Sequence, residues 1–210
     1  RIYKMYFKTG IRIGDNQLET NSIEMPADIL FSAIVNEASQ ISEKLCEKII
    51  EKFKNKCLKI SDAFPFIGEE YLLPKPFVKI SKEESSSTEK KLYKKIEHIP
   101  LQYYKSYIEG KSNPNEILKI SSQLGKNQVA TKIKYSENAD NEIYSIGYYR
   151  FDPNNGLYFL LAYEEEEDLE NFDEILFNLS FTGIGGKKSS GLGKFEIIEK
   201  DLPTEFEKSS

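Results

Sequence analysis

The sequence predicts an α+β domain, and three observations carry that prediction. The chain opens with strand-like alternation over residues 2–8, setting Tyr3, Met5 and Phe7 on one side and Lys4, Tyr6 and Lys8 on the other. Apolar residues then recur at three and four: Ile29, Leu30, Ala33, Ile34, Ala38, Ile41, Leu45, Ile49 and Ile50. Near the far end, strand signals at residues 129–135, 143–151 and 157–163 precede an acid-headed helix, EEEEDLENFDEILFNLSF, and a last strand, KFEIIE. Strand, helix, strands, helix, strand is the β-α-β-β-α-β order of a ferredoxin-like (RRM-like) domain. It would span residues 1–200, with residues 64–142 as a large insertion that includes a protruding β-hairpin.

Each element has a local justification. Pro26 and Asp28 mark the start of one long amphipathic helix that runs to Phe53, with Asp28 as its N-cap. CLKISDAFPFIGEEYLLPKPF reads as a short strand followed by proline-punctuated loop, and ISKEESSSTEKK as a polar surface connection. IPLQYYKSYIEGK predicts a short helix, with Pro100 at its start and Gly110 just past its end. KSNPNEILKISSQLGKNQ reads as loop. SENADNE and DPNNG are turns that join the three later strands. The acids that open the last helix suit its dipole, and DLPTEFEKSS reads as a frayed end.

Composition narrows the functional classes. With 210 residues, 39% of them hydrophobic and 12% aromatic, the chain can build a core. No apolar run reaches the roughly 20 residues of a membrane span. Cys46 and Cys57, the only cysteines, are too few for a disulfide framework or a four-ligand zinc site, and read as buried free thiols in a reducing cytoplasm. The formal net charge of −5 gives no global attraction to nucleic acid. Of 29 basic residues, only Arg1, Arg12 and Arg150 are arginines.

Against that acidic background, FTGIGGKKSSGLGKFEI places five glycines, three lysines and two serines between Gly183 and Phe195. It follows a helix and precedes a strand, the reverse of a nucleotide-binding phosphate loop. Phe181 stands where a Walker A motif needs its first glycine, and Lys188 where a dinucleotide fingerprint needs its last. Glycines can still form a backbone nest for an anion, with Lys187, Lys188 and Lys194 adding charge and Ser189 and Ser190 adding hydroxyls. An ordinary helix-to-strand connection with surface lysines is the other reading.

SFTGIGGKKSSGLGKFE closely resembles the signature loop of the RAMP superfamily of CRISPR proteins, and the chain as a whole resembles that superfamily's fourth-subunit family of the type III-A (Csm) effector. Four further blocks, in family order, carry the resemblance: YKMYFKTGIRIGDNQLETNSIEMPADILFSAIVNEA, SDAFPF with LPKP, KKIEHIPLQYYKSYIEGK, and residues 129–163. Members continue into a second ferredoxin-like half, so the resemblance makes residues 201–210 the start of a linker to a half missing here. Lysine also stands at 188 and 194, where the family often has arginine.

The resemblance implies a non-catalytic subunit that grips the 5′ handle of CRISPR RNA and bridges the large Cas-ten-type subunit to the adjacent backbone RAMP subunit, the third Csm protein. It implies no cofactor, metal or membrane. Gly183, Gly185, Gly186, Lys187, Lys188, Ser189, Ser190, Gly191, Gly193 and Lys194 would hold handle phosphates and sugars. The hairpin around Lys132, Lys134 and Tyr144 would be a protruding thumb, and Lys75 of LPKP a weaker backbone contact. Tyr135 and Tyr144 could stack on bases or simply pack across strands.

Two other classes compete. Some superfamily members are endoribonucleases that process CRISPR RNA, and RNA cleavage usually needs a histidine. His98, the only one, lies far in sequence from the loop. The acids at 164–168 could suggest a metal site, but a solvated helix start or a docking face accounts for them. A purely structural bridge without RNA contact is the third class.

Overall fold

The computed structural model describes residues 1–14, 23–77, 87–134, 142–203 and 206. In chain order the elements are β1 (Ile2–Phe7), α1 (Ala27–Ile41), α2 (Glu43–Lys54), β2 (Leu58–Ile60), β3 (Phe64–Ile67), β4 (Glu70–Pro74), α3 (Ser87–Lys95), β5 (His98–Pro100), α4 (Leu101–Ile108), α5 (Pro114–Ser121), β6 (Gly125–Lys134), β7 (Glu142–Phe151), β8 (Asn155–Tyr163), α6 (Glu166–Thr182), a single 3-10 turn (Lys188–Ser190) and β9 (Phe195–Lys200). An antiparallel sheet runs β5-β4-β3-β8-β1-β9, with β2 also paired to β8. β6 and β7 form a separate two-stranded ribbon.

β1 lies centrally, with Ile2 opposite both Leu160 and Lys200. Its period-two pattern sends Tyr3 and Met5 into a core against Leu30, Ile34 and Ala38 of α1 and Phe172, Ile175 and Leu179 of α6. Tyr3 stacks on Phe159 at 5.3 Å, and its hydroxyl donates to Asp173 at 2.7 Å. The opposite face is also covered. Ile2, Phe66, Tyr71 and Tyr158 form a second cluster there. Lys4 is fully buried beside it. Its ammonium donates to the Gly68 carbonyl at 2.7 Å and sits 4.3 Å from the Phe66 ring centroid. Burial lowers its pKa from the ordinary lysine value.

Several expectations need correction. The long helix is two helices, because Ser42 adopts an extended backbone and its hydroxyl accepts from the Leu45 amide at 3.1 Å, ending α1 and capping α2. Asp28 is not the N-cap: Pro26 holds that position, and Asp62 Oδ1 accepts from the Ala27 amide at 2.7 Å. The short strand expected before the proline-punctuated loop is β2, but the loop itself is two more strands, β3 and β4. Pro65 is accommodated at a register position opposite Leu157, and Phe66 fills the second cluster. Residues 114–121 are a helix, with Pro114 in its first turn and the Asn113 side chain accepting from the Asn115 amide at 3.0 Å. Ile117 of that helix is buried in a third cluster with Ile96, Ile99 and Tyr107. Residues 87–91 of the expected surface connection lie in α3, while its residues 80–86 lie outside the described residues. Both cysteines are free thiols, but half-buried rather than buried.

Candidate nucleic-acid interface

The glycine-rich loop begins where α6 ends and is shaped by the segment that follows β1. The Gly186 amide donates to the Arg12 carbonyl at 2.9 Å, and the Gly193 amide to the Gly10 carbonyl at 2.8 Å. Within the loop, Ile184 is buried as a plug, and its amide donates to Gly193 at 3.0 Å. Two glycines are dictated by this packing. Gly185 has φ +88°, and a Cβ there would lie 2.6 Å from the Arg12 carbonyl oxygen. Gly193 has φ +80°, and a Cβ there would collide with the Ile184 carbonyl oxygen. The amides of Ile184, Gly186, Gly191 and Gly193 are consumed inside the protein, and so are not the ones a ligand would meet.

What remains outward is the tip. Residues 186–189 are exposed, and among the described residues the amides of Lys187, Lys188 and Ser189 have no acceptor. The side chains of Lys187, Lys188 and Lys194 have no acidic partner among those residues either. Lys187 holds φ +63° and ψ +32°, a left-handed conformation that costs a side-chain-bearing residue about 1–2 kcal/mol. A strained residue kept on an exposed tip points toward a task rather than toward stability.

Of the other candidates, Lys132 joins the loop: its Nζ donates to the Ser190 carbonyl at 3.2 Å, so ribbon and loop touch. Tyr144 is its register partner on β7 and is partly exposed. Lys134 ends β6 opposite Glu142. Tyr135 and the hairpin tip, 135–141, lie outside the described residues. Lys75 is not part of this constellation. It directly follows β4, and its ammonium donates to the Tyr93 carbonyl at 2.7 Å. With β3, β8 and β1 between them, β4 and β9 are roughly 19 Å apart at about 4.8 Å per strand.

Sequence reasoning missed the spine beneath the loop. Residues 10–12 are gripped on both sides. Ile11 and Tyr149 exchange two backbone hydrogen bonds of 2.8 Å, which attach the ribbon to the main body. A Cβ on Gly10 would strike the Tyr148 ring, so glycine is required for the ribbon to approach. The Thr9-Gly10 pair after a strand was the signal available, but a turn signal does not say what packs on the turn.

The rival chemistries are placed elsewhere. His98 is buried in β5, with Nε2 2.6 Å from Glu24 Oε1. Glu165 and Asp168 each meet Lys52 at 2.9 Å, and Glu167 meets Lys48 at 2.8 Å, so the acid run braces α6 to α2. Among the described residues no group of three or more His, Cys, Asp or Glu side chains could hold a metal ion, and no helix is long and apolar enough to cross a membrane.

A family model described as the RAMP superfamily matches residues 4–196. Curated relatives include the CRISPR system Cms protein Csm4 of Mycobacterium tuberculosis, 32% identical over 191 residues, which cover 90% of this chain and 61% of the relative. The Csm4 of Streptococcus thermophilus is 30% identical over 214 residues, covering 97% of this chain and 66% of the relative. The chain thus spans about three fifths of the length of the first of these relatives. Among solved structures, a chain of a Csm3-Csm4 subcomplex of the type III-A CRISPR-Cas interference complex aligns with TM-score 0.57 and 21% identity over 98% of this chain and 70% of that one. A chain of a Csm1-Csm4 cassette in complex with AMPPNP aligns with TM-score 0.55 and 24% identity, over 96% and 72%. At these identities the likeness is one of fold.

Proposed function

Because the chain belongs to the RAMP superfamily, we propose that it serves as a non-catalytic subunit of a type III-A CRISPR effector, holding the 5′ handle of CRISPR RNA and bridging the large subunit to the adjacent backbone subunit. The Csm4 names of the curated relatives support this. So do the Csm1 and Csm3 partners named for the structural neighbours. In this reading residues 1–200 are one ferredoxin-like unit: β3-β8-β1-β9 is the strand order that topology requires, with α1, α2 and α6 on one face. The inserted part then begins after β3, which belongs to the central sheet, and the β6–β7 ribbon is the thumb. The close contact of buried His98, on β5, with Glu24 places the only imidazole of the chain away from the loop, which favours a binder over an endoribonuclease.

The observation that carries the proposal is the exposed tip Lys187-Lys188-Ser189, without an acidic partner among the described residues and braced by Lys132 through Ser190. Glycines give the loop its shape, and the tip lysines, hydroxyls and unpaired amides make the contacts. The test is a filter-binding titration of the chain co-purified with its adjacent backbone subunit, against CRISPR RNA with and without its 5′ handle. Handle-dependent binding is expected, weakened in the Lys187/Lys188/Lys194→Ala variant. Its log affinity should fall less steeply with log salt, by about 0.7 per lost contact and about 2 for three. Equal affinity for both RNAs, unchanged in the variant, would leave a scaffold whose contacts are protein to protein. Handle cleavage would make it a nuclease.

A further inference from the structure

Beside the loop lies a cleft of about 690 Å³ whose walls come from β1, β9 and the β6–β7 ribbon. Lys126 and Arg150 line it from the ribbon, and they are direct cross-strand partners. Like charges directly opposite one another weaken a two-stranded ribbon. Both side chains are exposed, and neither has an acidic partner among the described residues. Asp152, two residues beyond Arg150, also lines the cleft without pairing to it. Lys8 approaches from β1 and forms an ion pair with Glu196 of β9. The cleft therefore presents three cations to two carboxylates, and the two ribbon cations are not neutralised.

The cleft is contiguous with the loop. The Lys8 amide donates to the Lys194 carbonyl at 2.9 Å, so the wall that carries Lys8 is the one that carries Lys194. A ribbon that only had to pair its strands would gain from an acid opposite either cation; keeping Lys126 and Arg150 face to face makes sense when an anion lies between them. We propose that this cleft is a second anchorage for the same single-stranded RNA, in which Lys126 and Arg150 hold a phosphodiester adjacent to those at the glycine loop. It rests on the reading of that loop as an RNA grip. Arginine here adds a planar fork of donors suited to phosphate oxygens, which the all-lysine loop lacks.

The experiment is the same filter-binding titration with handle-bearing RNA, run over a salt series on three variants. Lys126→Gln/Arg150→Gln is expected to weaken binding about tenfold and to make the salt dependence shallower by about 1.4, two contacts at about 0.7 each. Glu196→Gln frees Lys8 and is expected to strengthen binding, a change that misfolding would not mimic. Unchanged affinity and slope in the ribbon double variant, with the Lys187/Lys188/Lys194→Ala variant still weakened, would overturn the cleft and leave the loop standing. A weakened ribbon variant beside a silent loop variant would do the reverse. Silence in both would remove both sites.

Discussion

Lys4 and the loop lysines are the same residue type in opposite settings. Lys4 is fully buried, hydrogen-bonded to Gly68, and surrounded by the rings of Phe66, Tyr71 and Tyr6. Lys187 and Lys188 project from an exposed tip with no acidic partner among the described residues. A buried ammonium is tolerated only when its donors are used and its stem is packed, so Lys4 fastens the β3–β4 turn to the sheet. An exposed, unpaired ammonium adds little to stability and remains available to a polyanion. Substitution should therefore damage the fold at one lysine and binding at the others.

The largest effect is expected in the packing that shapes the loop. Gly193→Ala combines a left-handed backbone with a collision against Ile184, and should cost on the order of 3 kcal/mol in urea unfolding. Gly186→Ala meets only ordinary contact with the Arg12 side chain, at 3.5 Å, and should change stability by less than about 1 kcal/mol. Equal costs at the two positions would show that Gly193 does not pack against Ile184 in solution. Next comes Lys4→Ala, which strands the Gly68 carbonyl and empties space among the rings. A loss of about 2–3 kcal/mol is expected by chemical denaturation, with RNA affinity unchanged. A neutral Lys4→Ala would mean that the second face is not closed as described. The smallest effect sharpens the contrast most: Lys187→Gly should raise stability by up to about 1 kcal/mol by relieving the left-handed lysine, while weakening RNA binding. A rise in both, or a fall in both, would remove the trade between strain and binding at the tip.

Much of the fold was legible because its signals are local. Period-two alternation marked β1 and β6, richness in Tyr and Ile marked β7, a compact apolar run marked β8, and the acid-headed pattern marked α6. The failures were local signals overridden or under-read. Ser42 is one hydroxyl within a helical pattern, yet it ends one helix and starts the next. Pro65 argued against a strand, but one register position accommodates it. Asn113-Pro114 is a cap followed by a first-turn proline, a helix start set in a polar stretch that reads as loop.

For the site, the sequence by itself determined composition and position: a lysine-, serine- and glycine-rich connection between α6 and β9 on an otherwise acidic chain. Tertiary structure decided how those residues are used. It sets Gly185 and Gly193 against residues 10–12, leaves the tip lysines outside, brings Lys132 to Ser190, and places Lys75 toward the other edge of the sheet. It also buries Lys4, which alternation placed on a side without saying what covers that side. The physical reason is the range of the interactions. Backbone periodicity is fixed by neighbours three or four residues away, whereas burial, like-charge pairing and loop packing depend on segments up to about 185 residues apart, as in Thr9 with Lys194.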